Sequence, residues 1–224
     1  MRDPALDSPD YRSTALRHPK QPLVYLPAEI ADLTGPQLGH FRPGEIRNDL
    51  TRQHTGEPVG ERITVSGRLL DSDGRPIRDS LIEIWQANGA GRYRHRWDRW
   101  PAPVDPNFTG GGRAVTDADG RYEFVTIKPG PYPWGNHPNA WRPAHIHFSL
   151  LGRSFEQRLV TQMYFPGDPL FAYDPIFQSV RDERARQRMI AQFSLDRSQE
   201  NWALDYEFEI VLGGRSGIPI EEAH

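Results

Sequence analysis

The residue types best suited to chemistry in this chain are a pair of histidines and two tyrosines. His145 and His147 stand two apart in a run of β-type residues. Side chains two apart on a strand point to the same face, so this spacing presents two imidazoles side by side, as a metal site requires. A His-x-His pattern also occurs as two ordinary polar residues of a strand, and the pair alone leaves both interpretations open.

The two tyrosines stand in segments with special backbone chemistry. Tyr132 lies between Pro131 and Pro133. Proline fixes its own φ and restricts the preceding residue, so this phenol is carried on stiff backbone. Tyr93 follows a stretch rich in glycine and asparagine, which lets the chain turn sharply after a predicted strand. Either tyrosine by itself is also typical of a side chain that packs on a core.

The absence of cysteine from the sequence excludes several kinds of metal and catalytic site. The chain has no cysteine, which excludes disulfides, cysteine-ligated zinc, iron–sulfur clusters and thiol nucleophiles. Two imidazoles and two phenols are nitrogen and hard oxygen donors. Hard anionic oxygen prefers a hard trivalent ion, so the set favours iron(III) over zinc or copper(I).

Charge and hydropathy patterning exclude several classes of partner. The formal net charge of -3 gives no electrostatic reason to expect nucleic acid or an anionic membrane. No stretch approaches the roughly 20 apolar residues of a membrane helix. The polar residues at positions 1–4 do not resemble a secretory signal, so we expect a soluble, cytoplasmic protein.

The elements that must position these residues are mainly strands. The 21 prolines and 20 glycines are spread evenly, which disfavours a helical bundle and favours turn-rich β structure. Asp73-Gly74 and Asp119-Gly120 are turn signals between alternating apolar runs. We predict a mostly antiparallel β-sandwich with long loops and strands at 63–69, 80–85, 122–127, 145–150, 159–165 and 206–212.

One late helix and three regions complete the prediction. Ser179 can cap the helix, and its first turn holds Asp182 and Glu183. Its loose apolar face consists of Ala185, Met189, Ile190 and Phe193. Residues 1–60, broken by recurrent prolines around one short helix-like piece at 28–33, form an irregular arm that wraps the domain or a neighbouring subunit. Residues 61–215 form the catalytic sandwich domain and 216–224 a tail.

Stretches of the sequence, taken in order, closely resemble the intradiol ring-cleavage dioxygenases. They are Ile84–Asn88, Gly91–His95, Asp105–Phe108, Lys128–Trp134 and Trp141–Phe148. One such motif would be weak evidence, whereas all of them in the family's order are highly specific. The resemblance extends from near Tyr11 to about Arg215, and it implies a sandwich similar to that of transthyretin.

The resemblance also implies roles for individual residues. Carried over by motif, Tyr93, Tyr132, His145 and His147 are the iron(III) ligands, with Tyr132 and His145 axial and the other two equatorial. Arg142 corresponds to the family's active-site arginine, a cation that could stabilise an electron-rich catecholate.

Further positions match the surroundings of that site. Gln162 and Tyr164 share one strand face and correspond to a catalytic residue and a substrate-pocket residue. The pocket walls would be Trp85, Trp134 and Ile176, although each would also suit a plain core. After Trp134 the family leads us to expect a basic residue, yet Gly135 follows, which changes the rim of the site.

The implied activity is opening of a small aromatic diol by dioxygen between its two hydroxyls. The proline-broken first 60 residues favour the protocatechuate-cleaving members, in which a homologous α subunit completes a hetero-oligomer. The members acting on catechol or hydroxyquinol carry a helical dimerisation segment there. A zinc hydrolase built on His145 and His147 and a non-catalytic transthyretin-like binding module are the alternatives from other classes.

Overall fold

The chain folds mainly into β-strands in the computed structural model, which describes residues 20–21, 47–135, 137–151, 158–213 and 216–219. The strands are β1 (Arg62–Leu70), β2 (Leu81–Trp85), β3 (Gly111–Val115), β4 (Arg121–Ile127), β5 (Tyr132–Trp134), β6 (Ala140–Arg142), β7 (His145–Leu151), β8 (Arg158–Tyr164), β9 (Gln192–Gln199), β10 (Ala203–Glu207) and β11 (Ile210–Val211). Two short helices, α1 (Pro175–Ser179) and α2 (Glu183–Arg188), lie between β8 and β9. Single 3-10 turns occur at Leu50–Arg52 and Pro169–Tyr173.

The described strands form two packed sheets and a separate hairpin. The first sheet runs β11-β1-β10-β9, with β4 also paired to β1, and the second runs β3-β2-β7-β8. The hairpin joins β5 to β6. Every pairing in the second sheet is antiparallel, as predicted. In the first sheet the pairs β1–β4 and β10–β9 are antiparallel as well, whereas β1 runs parallel to β10 and to β11, so the sandwich is mostly antiparallel, as predicted.

The core lies between the two sheets and is dense in aromatic rings. Phe148 of β7 has its ring centroid 5.8 Å from that of Phe124 and 6.0 Å from that of Tyr122, both on β4. Phe208, after β10, approaches the same ring at 5.2 Å. Burial of these rings adds to the hydrophobic stabilisation of the core, and each edge-to-face pair contributes about 0.5–1.5 kcal/mol beyond its buried area.

A late helix is present as α2, but its predicted cap and apolar face were wrong. Ser179 ends α1 instead of capping a helix, and Asp182 caps α2, its carboxylate accepting from the backbone N–H of Arg184 at 2.9 Å. Val180, between the two helices, has an extended backbone. Phe193, assigned to the apolar helix face, lies in β9.

The strand predictions were correct for β1, β2, β4, β7 and β8, with each end within one residue of its predicted position. The run 206–212 is divided between β10 and β11. The sequence pattern missed β3, β9 and the hairpin. Strand β3 begins with two glycines and β9 is mostly exposed, so neither shows the apolar alternation of a half-buried strand.

The parts of the arm and tail that the structure describes pack on the sandwich. Leu50 is fully buried in the core cluster, and the carbonyl of Asn48 accepts from the N–H of Val125 at 2.8 Å. Ile218 joins the same cluster. The rest of the arm, including the helix-like piece at 28–33, lies outside the described residues. No described helix is long and apolar enough to span a membrane.

Candidate metal centre and active site

The two histidines project from the face of β7 that points away from the sandwich core. Both are buried, and the antiparallel register of β7 with β8 places Tyr164 opposite His145 and Gln162 opposite His147. On the other side, Trp85 of β2 pairs with His147 and stacks on its ring with centroids 4.7 Å apart. The strand alternation therefore collects five of the predicted site residues on one sheet face.

The two tyrosines reach this face from separate segments that cover it. Tyr132 begins β5 and pairs with Arg142 of β6, so the hairpin carries both residues. Tyr93 lies in the long connection after β2, where its backbone N–H donates to the Asp98 carboxylate at 2.8 Å. The tyrosine rings meet edge to face, with centroids 5.6 Å apart.

The candidate donor atoms converge on one point. The phenolic oxygen of Tyr93 lies 3.2 Å from Nε2 of His147 and 3.5 Å from Nε2 of His145. The oxygen of Tyr132 lies 3.4 Å from Nε2 of His145. If each donor bound an ion at about 2.0–2.1 Å, these separations would correspond to angles of roughly 100–120° at the metal. The four donors therefore fit a single transition-metal ion.

The tautomer of His145 agrees with a ligand role. Its Nδ1 lies 2.7 Å from the carbonyl oxygen of Pro143, an atom that can only accept. The proton therefore resides on Nδ1, which leaves the lone pair of Nε2 facing the phenols. A backbone carbonyl that fixes the far nitrogen in this way is the usual support of a metal-bound imidazole.

Asn88 and two glycines lock the Tyr93 segment to the Tyr132 segment. The Asn88 side-chain oxygen accepts from the N–H groups of Ala90 and Arg92, both at 2.9 Å, and its carbonyl accepts from Gly130 at 2.9 Å. Gly91 has a positive φ of 77°, and a Cβ there would lie 2.2 Å from the carbonyl oxygen of Pro131. Only glycine permits this close approach, so the two phenols are positioned as one unit.

Arg142 brings a buried positive charge to the site. Its Nε lies 3.2 Å from a carboxylate oxygen of Asp174, and its Nη2 donates to the side-chain oxygen of Gln162. Its guanidinium also lies over the ring of Trp134, 5.5 Å from the centroid. Burial lowers the pKa of Arg142, but the Asp174 carboxylate and the nearby tyrosine oxygens outweigh it and hold the pKa well above its usual value. The group therefore stays charged.

Tyr164 connects the same groups on the sheet side. Its hydroxyl lies 2.9 Å from the side-chain oxygen of Gln162 and 3.0 Å from a carboxylate oxygen of Asp174. Burial and the Asp174 charge raise the pKa of Tyr164 well above that of a free phenol, so this tyrosine stays protonated and donates.

Asp174 is the site residue that sequence reasoning missed. It is fully buried, and its other oxygen accepts from the N–H of Ile176 at the start of α1. Asp174-Pro175 is an N-cap signal visible in the sequence, but nothing local shows that this cap faces an arginine. Ile176 is buried in the first turn of α1, and its backbone N–H contacts the site through the hydrogen bond to Asp174.

The structure thus brings the sequence-predicted residues other than Ile176 into one neighbourhood, and their individual roles stay predictions. Gly135 is exposed beside the hairpin, and a Cβ added there would meet nothing within 4 Å. Among the described residues no group of three His, Cys, Asp or Glu side chains could hold a metal. A zinc site of the histidine–carboxylate kind therefore has no support in the part of the chain that the structure describes.

An antiparallel sheet with two histidines on its outer face, covered by two tyrosine-bearing loops, is an arrangement suited to a non-haem iron(III) enzyme. The chain belongs to the intradiol dioxygenase family: the family described as "Dioxygenase" matches residues 33–214. A second family, described as "Protocatechuate 3,4-dioxygenase beta subunit N terminal", matches residues 4–29.

Among curated proteins, the chain is 58% identical over 220 residues to a protocatechuate 3,4-dioxygenase beta chain from Burkholderia cepacia, covering 97% of this chain and 93% of that one. It is 33% identical to a hydroxyquinol 1,2-dioxygenase from Rhizobium sp. (strain MTP-10005), covering 68% of this chain and 55% of that one. A solved 3-chlorocatechol 1,2-dioxygenase from Rhodococcus opacus 1CP matches with a TM-score of 0.57 at 21% identity, covering 82% of this chain and 75% of that one. At that identity the structural likeness shows the fold alone.

Proposed function

We propose that this chain is the iron-binding β subunit of a protocatechuate 3,4-dioxygenase. It would open protocatechuate (3,4-dihydroxybenzoate) with dioxygen between the two hydroxyls, giving 3-carboxy-cis,cis-muconate, a step of the β-ketoadipate pathway of aromatic catabolism. The observation that carries the proposal is the convergence of two phenolic oxygens and two imidazole nitrogens, 3.2–3.5 Å apart in the three measured pairs. The substrate assignment is supported by the near full-length relative from Burkholderia cepacia.

The cofactor in this proposal is Fe(3+), held by Tyr93, Tyr132, His145 and His147. Anionic phenolate oxygen stabilises the trivalent state, and the Nδ1 proton of His145 leaves its Nε2 available. Bound there, iron(III) would supply Lewis acidity that draws electron density out of a coordinated catecholate ring.

The protein residues supply proton transfer, charge and orientation. We assign the phenolic oxygen of Tyr132 to accept a proton from a substrate hydroxyl. The charged Arg142, held beside Gln162, would stabilise the electron-rich catecholate. Trp85 fixes the plane of His147 by stacking. Because these groups are mostly buried, the site favours charge interactions that water would weaken.

The substrate carboxylate needs a cationic or strong donor partner, because a buried anion without one is costly. The rim position at which the family resemblance led us to expect a basic residue is Gly135, which carries no side chain. We therefore assign the carboxylate contact to a homologous α subunit that completes the pocket. The chain is 29% identical over 205 residues to a protocatechuate 3,4-dioxygenase alpha chain from Pseudomonas putida, which supports the existence of such a paired partner.

Metal analysis, visible absorption and product analysis test the function together. The protein co-produced with its α partner should contain iron and show a broad visible charge-transfer band that weakens in Tyr132→Phe. Protocatechuate should give 3-carboxy-cis,cis-muconate, identified by mass and ultraviolet spectrum. Zinc without iron would contradict the metal assignment, and a yellow semialdehyde, the mark of cleavage beside the diol, would contradict the reaction. A clear preference for unsubstituted catechol or hydroxyquinol would contradict only the substrate.

Separate production of the chain tests the partner. Alone it should be poorly soluble or nearly inactive, and co-production with the α chain should restore activity. Full activity from a clean monomer would contradict the hetero-oligomer.

A further inference from the structure

Asp174 joins three elements of the site and has no role in the function proposed above. Its side chain is fully buried, with both oxygens engaged. One oxygen lies 3.2 Å from Nε of Arg142 on β6 and accepts from the N–H of Ile176 on α1 at 2.9 Å. The other lies 3.0 Å from the hydroxyl of Tyr164 on β8.

Other aspartates near α1 show what a plain helix cap looks like in this chain. Asp168 caps the 3-10 turn before α1 and is partly exposed, and Asp182 caps α2 and is exposed. Their carboxylates accept from the N–H two residues on, at 2.9 Å, as that of Asp174 does. Asp174 differs because it is fully buried and faces a buried cation. Capping alone does not require either feature.

Stability does not explain the buried pair either. Replacing a buried ion pair by apolar residues is often neutral or stabilising, because two charges must leave water to form it. The side chains of Arg142 and Asp174 are 4% and 0% exposed, so this desolvation is nearly complete. What the pair does provide is a charge contact that anchors the guanidinium, although Nε makes no directed hydrogen bond, with Nη2 directed to Gln162 and the plane lying over Trp134.

We propose that Asp174 is a positioning residue, which keeps the Arg142 guanidinium aimed at the reacting ring and holds the Tyr164 hydroxyl in place beside Gln162. The proposal deepens the function proposed above and rests on it where turnover is concerned. The contacts of Asp174 are with Arg142, Tyr164 and the backbone of Ile176, and none is with a candidate metal ligand. It therefore acts through Arg142 and Tyr164.

The test compares four variants of the full chain, each co-produced with the α partner. Asp174→Asn keeps the shape and a cap oxygen but removes the charge. Arg142→Gln and the double variant Asp174→Asn/Arg142→Gln complete a cycle. Asp205→Asn is the matched control, because Asp205 is also buried and pairs with an arginine, at 3.2 Å from Arg197, on the first sheet.

In Asp174→Asn we expect iron content and the visible band to be retained while kcat falls by about 100-fold, the loss typical of a misplaced catalytic group. KM should change less than kcat, because Arg142 acts on charge that develops after binding. The double variant should lose much less than the product of the two single losses, since most of the Asp174 effect passes through Arg142. Asp205→Asn should keep the wild-type kcat.

A crystal structure of Asp174→Asn separates this proposal from the function itself. The Arg142 guanidinium should be displaced or rotated while the four predicted ligands keep their places. An unmoved guanidinium, an unchanged kcat or additive losses in the double variant would overturn the positioning role. If the wild type cleaved no catechol, the proposed function would fail, and the crystal structure would still decide the role of Asp174. If Asp174→Asn does not fold, two variants replace it. One is the double variant, in which neither charge is left unpaired, and the other is Asp174→Glu.

Discussion

The two faces of the β3-β2-β7-β8 sheet are built from the same strands but differ in kind. Along β7 the residues Ile146, Phe148 and Leu150 enter the sandwich core, while His145 and His147 alternate with them on the opposite face. Strand β8 repeats the pattern, with Met163 in the core. Each candidate ligand of the sheet thus has a buried apolar neighbour directly behind it.

This difference explains why the site is rigid. The core face fixes the strands by close packing, in which few side chains have room to shift. The outer face inherits that fixed backbone and presents imidazoles from it, while the loops that cover it supply the phenols. The core face should therefore determine whether the chain folds, and the outer face whether it binds metal and reacts.

The largest expected effect comes from removing a ligand on the outer face. His147→Ala should lower iron affinity by more than about 100-fold, because even the residues that merely support metal ligands contribute 10–100-fold. Activity should be lost with the metal. Iron titration and the visible band measure the effect. Ser149→Ala, two residues further on the same buried face, is the control and should keep both. Equal iron binding by the two variants would show that His147 is not a metal ligand.

A substitution on the core face should lower stability and leave metal binding unchanged. Phe148 is fully buried against rings of the first sheet, so Phe148→Ala should reduce the free energy of unfolding by about 3–5 kcal/mol. The protein that remains folded should bind iron with an unchanged visible band. Urea unfolding, followed beside the spectrum, measures both. A folded Phe148→Ala protein that binds no iron would show that the two faces are not separable.

A smaller effect is expected where the loops cover the outer face. Gly91→Ala should cost about 1–3 kcal/mol through its positive φ. It should also shift the visible band, because the new Cβ meets the Pro131 carbonyl 2.2 Å away and must move the tyrosine segments. Gly74→Ala is the matched control: its φ of 80° is similar and nothing lies within 4 Å. Identical spectra for the two variants would show that the loop contact does not position the phenols.

The smallest effect concerns the rim. Gly135→Lys fills open space beside the hairpin and adds the positive charge that the rim lacks. An exposed ion pair contributes up to about 1 kcal/mol, so KM for protocatechuate should fall by about twofold to fivefold. Gly135→Gln should leave it unchanged, and neither variant should alter KM for unsubstituted catechol. An equal gain for both substrates would show that the added charge does not contact the carboxylate.

Local patterns were sufficient for three of the four strands of the sheet that carries the histidines, β2, β7 and β8. The alternation in 145–150 and 159–165 predicted β7 and β8 and placed Gln162 and Tyr164 on one strand face. The cap and the apolar face of the late helix were mispredicted because a loose apolar spacing over 179–193 cannot show that the backbone at Val180 is extended. Likewise β9 was missed because an exposed strand has no apolar period to detect.

By itself the sequence determined the family, the strand that carries His145 and His147, and the absence of thiol chemistry. Those conclusions depend on residue identity and on a period of two, which are local properties. Only the tertiary structure decided that Tyr93 lies 3.2 Å from His147, 54 positions away, and that Asp174 faces Arg142. Such contacts depend on how loops fold over a sheet. Close backbone contacts at glycines and buried ion pairs fix that arrangement, and no local sequence pattern predicts them.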